Sequence, residues 1–414
     1  MLTAILALLR GNPSYRRLWA AQVVSLTGDW FTLIALAVVI SRDSGGSGVA
    51  VSGLALAQMA PWVVVGPWSG VLADRFDRKR LLVASDLARV AVVLLLIPAA
   101  EAGGLAAVLA LALAHFALAS VFEPARAALV PRLVAPNVLV TATTLSSVTW
   151  SVMLAAGGLL GGAVLSRVGL RAAFAFDALT FLASAALIAR IPSPPRPVRD
   201  GGEGQRPAFR QGVAWAIAHP GIGAAALVKV VNGVAAIDTF IVLYATRLFA
   251  VGQGGAFSVG FLCACFGVGA ILGPLLLNRI NDGSVRCMRR LVVAASAAIC
   301  LAFFVLGAAP NLGVAGAAVL LRGAGGSANW TFSTIILQKG VPDRLLGRLA
   351  ALDLVNANLA GMVFSVAWGL AVDGAGVRAA VLAAGVATLV PFVLWTAGLP
   401  FLERREAAEG APHA

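Results

Sequence analysis

Charge is scarce in this chain of 414 residues: only 12% are Asp, Glu, Lys or Arg, where soluble domains carry about 25%. Lysine is nearly missing, with Lys79, Lys229 and Lys339 its only representatives, and there are three histidines and two tyrosines. With 60% hydrophobic residues, a soluble globule of this length cannot bury its apolar surface. That excludes an ordinary cytosolic enzyme and a disordered protein. It leaves a polytopic helical membrane protein, for which the bilayer is the solvent of the apolar faces. The apolar runs are long and continuous, not the short alternating segments of an outer-membrane barrel.

Chemistry-bearing clusters are equally sparse. The four cysteines are Cys263, Cys265, Cys287 and Cys300, and the histidines His115, His219 and His413 are scattered. No metal site is expected, and no cofactor. No lysine follows a Gly-x-x-x-x-Gly pattern, so no phosphate-cradling loop is expected. An integral-membrane enzyme is set aside too, for want of a metal cluster, a Ser/His/Asp arrangement or a Gly-x-Ser-x-Gly motif. The net charge of +13 does not indicate nucleic acid, because the basic residues fall in short clusters between apolar runs, without a basic and aromatic stripe. The start of the chain does not read as a secretory signal, since its charges (Arg10, Arg16, Arg17) follow the apolar residues.

A helix needs about 20 apolar residues to cross the hydrocarbon core. Twelve such stretches are expected, at 18–40, 49–73, 81–100, 103–124, 143–166, 170–190, 222–246, 256–278, 289–309, 312–336, 349–372 and 376–400. With the N-terminus inside, 23 of the 31 Lys and Arg fall in inner segments and five in outer loops; Arg89, Lys229 and Arg322 lie within spans. This asymmetry predicts both termini in the cytoplasm of a multi-pass inner membrane protein. The Pro- and Gly-rich interruption at 191–220 reads as a cytoplasmic linker with a short amphipathic helix around Phe209–Ala218. The expected organisation is therefore a six-helix bundle over 1–190, the linker, a second bundle over 221–400 and a tail over 401–414. An internal repeat supports the duplication: Val71-Leu72-Ala73-Asp74-Arg75-Phe76 ends span 2, and Leu275-Leu276-Leu277-Asn278-Arg279-Ile280 ends span 8.

The sharpest motif is Gly70-Val71-Leu72-Ala73-Asp74-Arg75-Phe76-Asp77-Arg78-Lys79-Arg80, in the inner loop after span 2. It resembles the signature loop of the major facilitator superfamily. Asn12-Pro13-Ser14-Tyr15-Arg16, Gly28-Asp29-Trp30-Phe31, Phe122-Glu123-Pro124-Ala125 and Val341-Pro342-Asp343-Arg344 extend the likeness over nearly the whole chain, to the drug and siderophore exporter branch that includes macrolide efflux proteins and the enterobactin exporter. The resemblance implies the all-α major facilitator fold, with twelve helices in two pseudo-symmetric bundles. It also implies a conformational latch at Gly70, Asp74, Arg75, Arg78 and Lys79, for which Asp353 at the start of span 11 is a candidate partner. Two departures stand out. The superfamily's span-5 antiporter motif appears as Gly157-Gly158-Leu159-Leu160-Gly161-Gly162, without its proline, although these small residues still suit close helix packing. An arginine-containing motif of span 4 is absent, and His115 lies mid-span there.

Ionised groups cost about 2.5–3.5 kcal/mol at the bilayer centre on insertion scales, so they pair or line a wet cavity. Spans 1, 4, 7 and 10 line the cavity in the superfamily. By that resemblance Trp30, His115, Lys229, Asn232, Arg322, Asn329 and Trp330 are substrate-cavity candidates, and Asp29 and Asp238 are the proton-coupling candidates. Each charged residue has a competing role as an ion pair holding helices together. Lys229, in the inner half of span 7, has the further option of snorkelling to the interface; Asp86, Arg89 and Asp177 read as structural. The expected function is secondary active transport: a monomeric, proton-coupled exporter whose partners are an amphiphilic drug or siderophore-like small molecule, the proton and the bilayer. The alternatives are a lipid-like substrate such as a lysophospholipid on the same fold, or a membrane sensor without transport.

Overall fold

The computed structural model describes residues 2–65, 68, 76–192 and 209–409. They are almost entirely helical, and no described residue is in a strand. The first helices are α1 (Leu2–Gly11), α2 (Pro13–Asp43), α3 (Gly48–Val64), α4 (Arg78–Glu101), α5 (Leu105–Leu133), α6 (Leu139–Ala189) and α7 (Phe209–Ala218). Their starts are written in the sequence. Asn12 accepts the N–H of Tyr15 at 2.9 Å, with Pro13 in the first turn, where its missing N–H removes no helical bond. Ser47 caps α3 through the N–H of Ala50, and the Asp77 carboxylate caps α4 through the N–H of Arg80 at 2.9 Å. The break expected between 166 and 170 falls inside α6 at Gly169, whose φ of 80° suits only a residue without Cβ.

The later helices are α8 (Pro220–Gly223), α9 (Val230–Val234), α10 (Asp238–Leu243), α11 (Ala256–Asn278), α12 (Val285–Gly307), α13 (Leu312–Gly340), α14 (Asp343–Ala375) and α15 (Val377–Glu409). Among the described residues nine stretches are long and apolar enough to cross a membrane, one of them the 54-residue run Pro136–Ala189 that holds the Gly169 break. With that run divided, and with the shorter apolar α3 and the 29-residue α13 included, the layout is consistent with twelve spans. Span 4 runs beyond its expected edge at 124 to Leu133, because Pro124 sits inside the helix without ending it.

Span 7 departs most from expectation. A continuous helix was expected over 222–246, but α8 gives way to a 3-10 turn (Ala224–Leu227), and α9 and α10 are separated by non-helical backbone at 235–237. In a bilayer, carbonyls released by such a break need partners within the protein, and they have them here, as described below.

Contacts divide the chain into two compact units. One comprises Met1–Val198 with Val242–Ala264, the other Arg199–Ile241 with Cys265–Ala414. The first has a core around Tyr15, Leu18, Phe122, Leu129 and Ile188, and the Tyr15 hydroxyl donates to the Ala142 carbonyl at 2.8 Å. The second has a core around Ile222, Leu291, Phe332, Ile336 and Leu349.

Candidate functional site

The first unit gathers its ionisable residues from four spans. Asp29 of α2 stands 3.2 Å from His115 Nε2 of α5 and 3.6 Å from Arg89 of α4. Arg89 donates to Asp86, one helical turn back, at 2.6 Å, and Ser184 of α6 donates to the other oxygen of Asp86, also at 2.6 Å. The Arg89 guanidinium lies between the rings of Phe122 and Phe181, 4.6 and 4.2 Å from their centroids. Asp177 of α6 accepts from Thr32 at 2.5 Å and Thr180 at 3.1 Å and lies within electrostatic range of Asp29. Asp86, Arg89, His115 and Asp177 are buried, while the Asp29 side chain keeps 27% exposure. Among these five residues Asp29 is the partly exposed one. His115 Nδ1 has no hydrogen-bond partner among the described residues.

Trp30, next to Asp29, is half-buried against the span-5 glycines. A Cβ built on Gly157 would come 2.5 Å from its ring, and one on Gly161 would meet the Trp30 backbone at 3.4 Å. On the other side of the same stretch, Cβ atoms on Gly158 and Gly162 would come 2.9 Å from Cys263 and from Gly260 of α11. These four glycines let α6 pack tightly on two neighbours at once.

In the second unit, Lys229 pairs with Asp353 of α14 and donates to Thr334 of α13 at 3.0 Å, with its ammonium 4.3 Å from the centre of the Trp330 ring. Lys229 is 4% exposed and so does not snorkel. Arg322 of α13 fills the break in span 7. Its guanidinium donates to the Ala235 carbonyl at 2.8 and 3.1 Å and to the Asn232 carbonyl at 3.2 Å, and it reaches the Asn232 side chain at 3.4 Å. Trp368 Nε1 takes the Val234 carbonyl at 2.8 Å. Asp238, just beyond the break, is exposed and within electrostatic range of Arg322. Asn329 is directed elsewhere: it is buried and donates to Ser296 of α12 at 3.1 Å.

Gly70, Asp74 and Arg75 of the expected latch lie outside the described residues. Arg78 opens α4 and donates to the Ala128 carbonyl at 3.3 Å, and Lys79 follows it in the first turn. The partner of Asp353 is Lys229. A further node escaped the sequence reading. Arg126, on the extended span-4 helix, donates to Glu123 at 2.8 Å, to Gln22 at 3.0 Å and to Ser146 at 3.4 Å, joining α5 to α2 and α6. Its signal was the Glu123/Arg126 spacing of three, which puts both on one helix face.

Buried, paired charges inside apolar helices, with a helix broken and its carbonyls satisfied internally, are features that mark functional sites in membrane proteins. Solved structures agree in fold. A bacterial homologue of the human lysosomal transporter Spinster superposes with a TM-score of 0.71 at 15% identity, covering 97% of this chain and 99% of that one. A D-xylose–proton symporter gives 0.69 at 15% identity, covering 92% and 96%. The fold is that of the major facilitator class. Within that class, the chain belongs to the transmembrane secretion effector family, whose model matches residues 3–412. Among curated relatives, a putative bacilysin exporter of Bacillus amyloliquefaciens is 33% identical over 189 residues, 44% of each chain. An uncharacterised major facilitator transporter of Bacillus subtilis is 28% identical over 185 residues, 45% of this chain and 44% of its own. Macrolide efflux protein A of Streptococcus pyogenes is 36% identical over 70 residues, 17% of each. The matched stretches thus span less than half the length of these relatives.

Proposed function

We propose that this transporter is a proton-coupled exporter of amphiphilic small molecules in the inner membrane, with Asp29 as the proton-carrying group. The observation that supports it most is the position of Asp29 between the buried Arg89 and His115, as the partly exposed member of a cluster otherwise closed to its surroundings. A carboxyl group favours its neutral form in apolar surroundings and its ionised form beside a cation or water. Alternating access changes those surroundings once per cycle. His115 offers a second basic site in contact with the same carboxylate. Asp238 is the rival in the second unit, beyond the break in span 7 and within electrostatic range of Arg322.

The test is transport by purified protein in liposomes with an inward proton gradient. Asp29→Asn is expected to abolish gradient-driven accumulation while leaving substrate exchange without a gradient intact. Wild-type accumulation by Asp29→Asn overturns the assignment, and the same measurement on Asp238→Asn then tests the rival.

The charge asymmetry of the sequence supports two six-span halves with both termini and the 191–220 linker in the cytoplasm. In sealed cells a membrane-impermeant thiol reagent should label Ser47→Cys and leave Gly202→Cys unlabelled; the reverse pattern inverts the topology.

A further inference from the structure

Helix α1 presents a face that neither the proton site nor the first unit's core uses. Its ten residues hold one charge, Arg10. Ile5 and Leu8 pack into the core beside Ala142, Leu145, Ile188 and Ile191. On the opposite face Thr3, Leu6, Ala7 and Arg10 are exposed, Leu6 by 43%. A helix apolar on both faces is stable with protein on one side and lipid on the other. Asn12 alone separates α1 from α2, the first spanning helix, and its amide donates to the Leu133 carbonyl at the end of α5 at 2.5 Å. That corner holds α1 at the end of a membrane span, where the membrane surface lies.

Four arginines belong to the same corner. Arg10 is in the last turn of α1, Arg16 and Arg17 are in the first turn of α2, and Arg190 follows the last residue of α6. Arg17 donates to the Arg190 carbonyl at 2.9 Å, which ties the two helix ends together. Arg10, Arg16 and Arg190 are exposed. No Asp or Glu occurs in 1–28 or in 178–199, and among the described residues none of the four arginines joins an ion pair. The second unit differs: its exposed Arg290 already faces Glu403 at 3.7 Å.

We propose that α1 lies in the membrane surface and that Arg10, Arg16, Arg17 and Arg190 form a site for the phosphate of an anionic phospholipid, whose acyl chains run beside Leu6. The occupant is a lipid and not a free phosphate because the arginines adjoin an apolar face: Leu6 and Arg10 stand four residues apart on one side of α1. The charge is complementary, since the protein supplies these four cations with no acid from their own segments. With the N-terminus in the cytoplasm, as proposed, the leaflet is the inner one, which carries the negative surface potential. The bound lipid joins α1 to the inner ends of spans 1 and 6.

The test is equilibrium binding to the purified full chain in a neutral detergent. Its probes are dioctanoyl phosphatidylglycerol, dioctanoyl phosphatidylcholine and inorganic phosphate, which separate an anionic lipid from a neutral one and from a free anion. The wild type should prefer the phosphatidylglycerol at least tenfold, with affinity falling as salt is raised, and inorganic phosphate should not compete. An arginine near an anionic surface is worth about fivefold, so Arg10→Gln/Arg16→Gln/Arg190→Gln should lose at least tenfold. These side chains are exposed, so the variant keeps its fold, and Arg17 stays in place on its carbonyl. Lysine at the same three positions keeps the charge and should restore most of the binding. Arg286→Gln/Arg290→Gln, at exposed arginines of the second unit, should leave binding nearly unchanged. A second measurement locates α1. A nitroxide on Leu6→Cys, in a chain with alanine at Cys263, Cys265, Cys287 and Cys300, should be reached more readily by oxygen than by a water-soluble nickel chelate in liposomes of phosphatidylglycerol and phosphatidylcholine. Equal binding of the two lipids, competition by inorganic phosphate, undiminished binding by the triple glutamine variant, an equal loss in Arg286→Gln/Arg290→Gln, or a label reached better by the nickel chelate overturns the proposal. No readout involves flux or a proton gradient, so this site and the exporter reading fail separately.

Discussion

The two units bury their charges in different proportions. The first sets three carboxylates, Asp29, Asp86 and Asp177, around a single guanidinium and a histidine. In the second, Lys229 pairs with Asp353, while the buried Arg322 and Arg289 donate to the Ala235 and Gly221 carbonyls, with the exposed Asp238 near Arg322. A site rich in acid can take up a proton and lower its charge repulsion by doing so, whereas a balanced pair is stable until something replaces one partner. On the proposed reading, proton uptake belongs to the first of these regions. They also differ in construction. Arg89 is shared by Asp29 and Asp86 and sandwiched by two rings, so its loss reaches across four helices. The Lys229–Asp353 pair links span 7 to α14 and leans on α13.

The sharpest way to break this comparison is to remove the shared cation. Arg89→Met leaves Asp86 buried beside Asp29 and Asp177 without a fixed positive charge. Breaking a buried pair by removing one partner costs about 3–5 kcal/mol, and the two ring contacts are lost as well. Unfolding of the detergent-solubilised protein should show a destabilisation of that order, and Asp86→Asn added to Arg89→Met should recover part of it. By contrast, replacing both members of the second unit's pair, as in Lys229→Met/Asp353→Asn, should change stability much less, because no charge is stranded. Similar losses for Arg89→Met and for that double variant would show that the first cluster is no more networked than the second.

How much of this was readable before the structure depends on distance along the chain. The spans follow from hydropathy alone, and their capped starts from Asn12, Ser47 and Asp77. Asp29 and His115 stood out as costly residues in cavity-lining spans, and they do meet. Their partner Arg89 was read as local because Asp86 lies three residues from it, and that pattern carries no hint of a third carboxylate on another helix. Lys229 and Asp353 are 124 residues apart, and no spacing rule joins them. The break in span 7 was hidden for a different reason. Ala235, Ala236 and Ile237 are as apolar as any helix interior, and the carbonyls of Asn232 and Ala235 at the break are served by Arg322, a residue on another span. Arg126 was overlooked because Pro124 was taken as the end of its helix.

The finest test compares one hydroxyl in each region. Ser184 donates to Asp86 Oδ2, and Asp86 is completely buried. Ser184→Ala therefore leaves one oxygen of a buried carboxylate without its donor, a loss of about 1–3 kcal/mol. Thr334 accepts from Lys229 at 3.0 Å, but the ammonium also has Asp353 and the Trp330 face. Thr334→Val keeps the side-chain shape and removes one of three partners from a side chain that can turn toward the others, so about 1 kcal/mol is expected. Denaturant titration of the two variants in the same detergent should rank Ser184→Ala as the more damaging. If Thr334→Val equals or exceeds it, the lysine depends on that hydroxyl more than on the ring, and the difference in rigidity drawn between the two regions is removed at its most sensitive point.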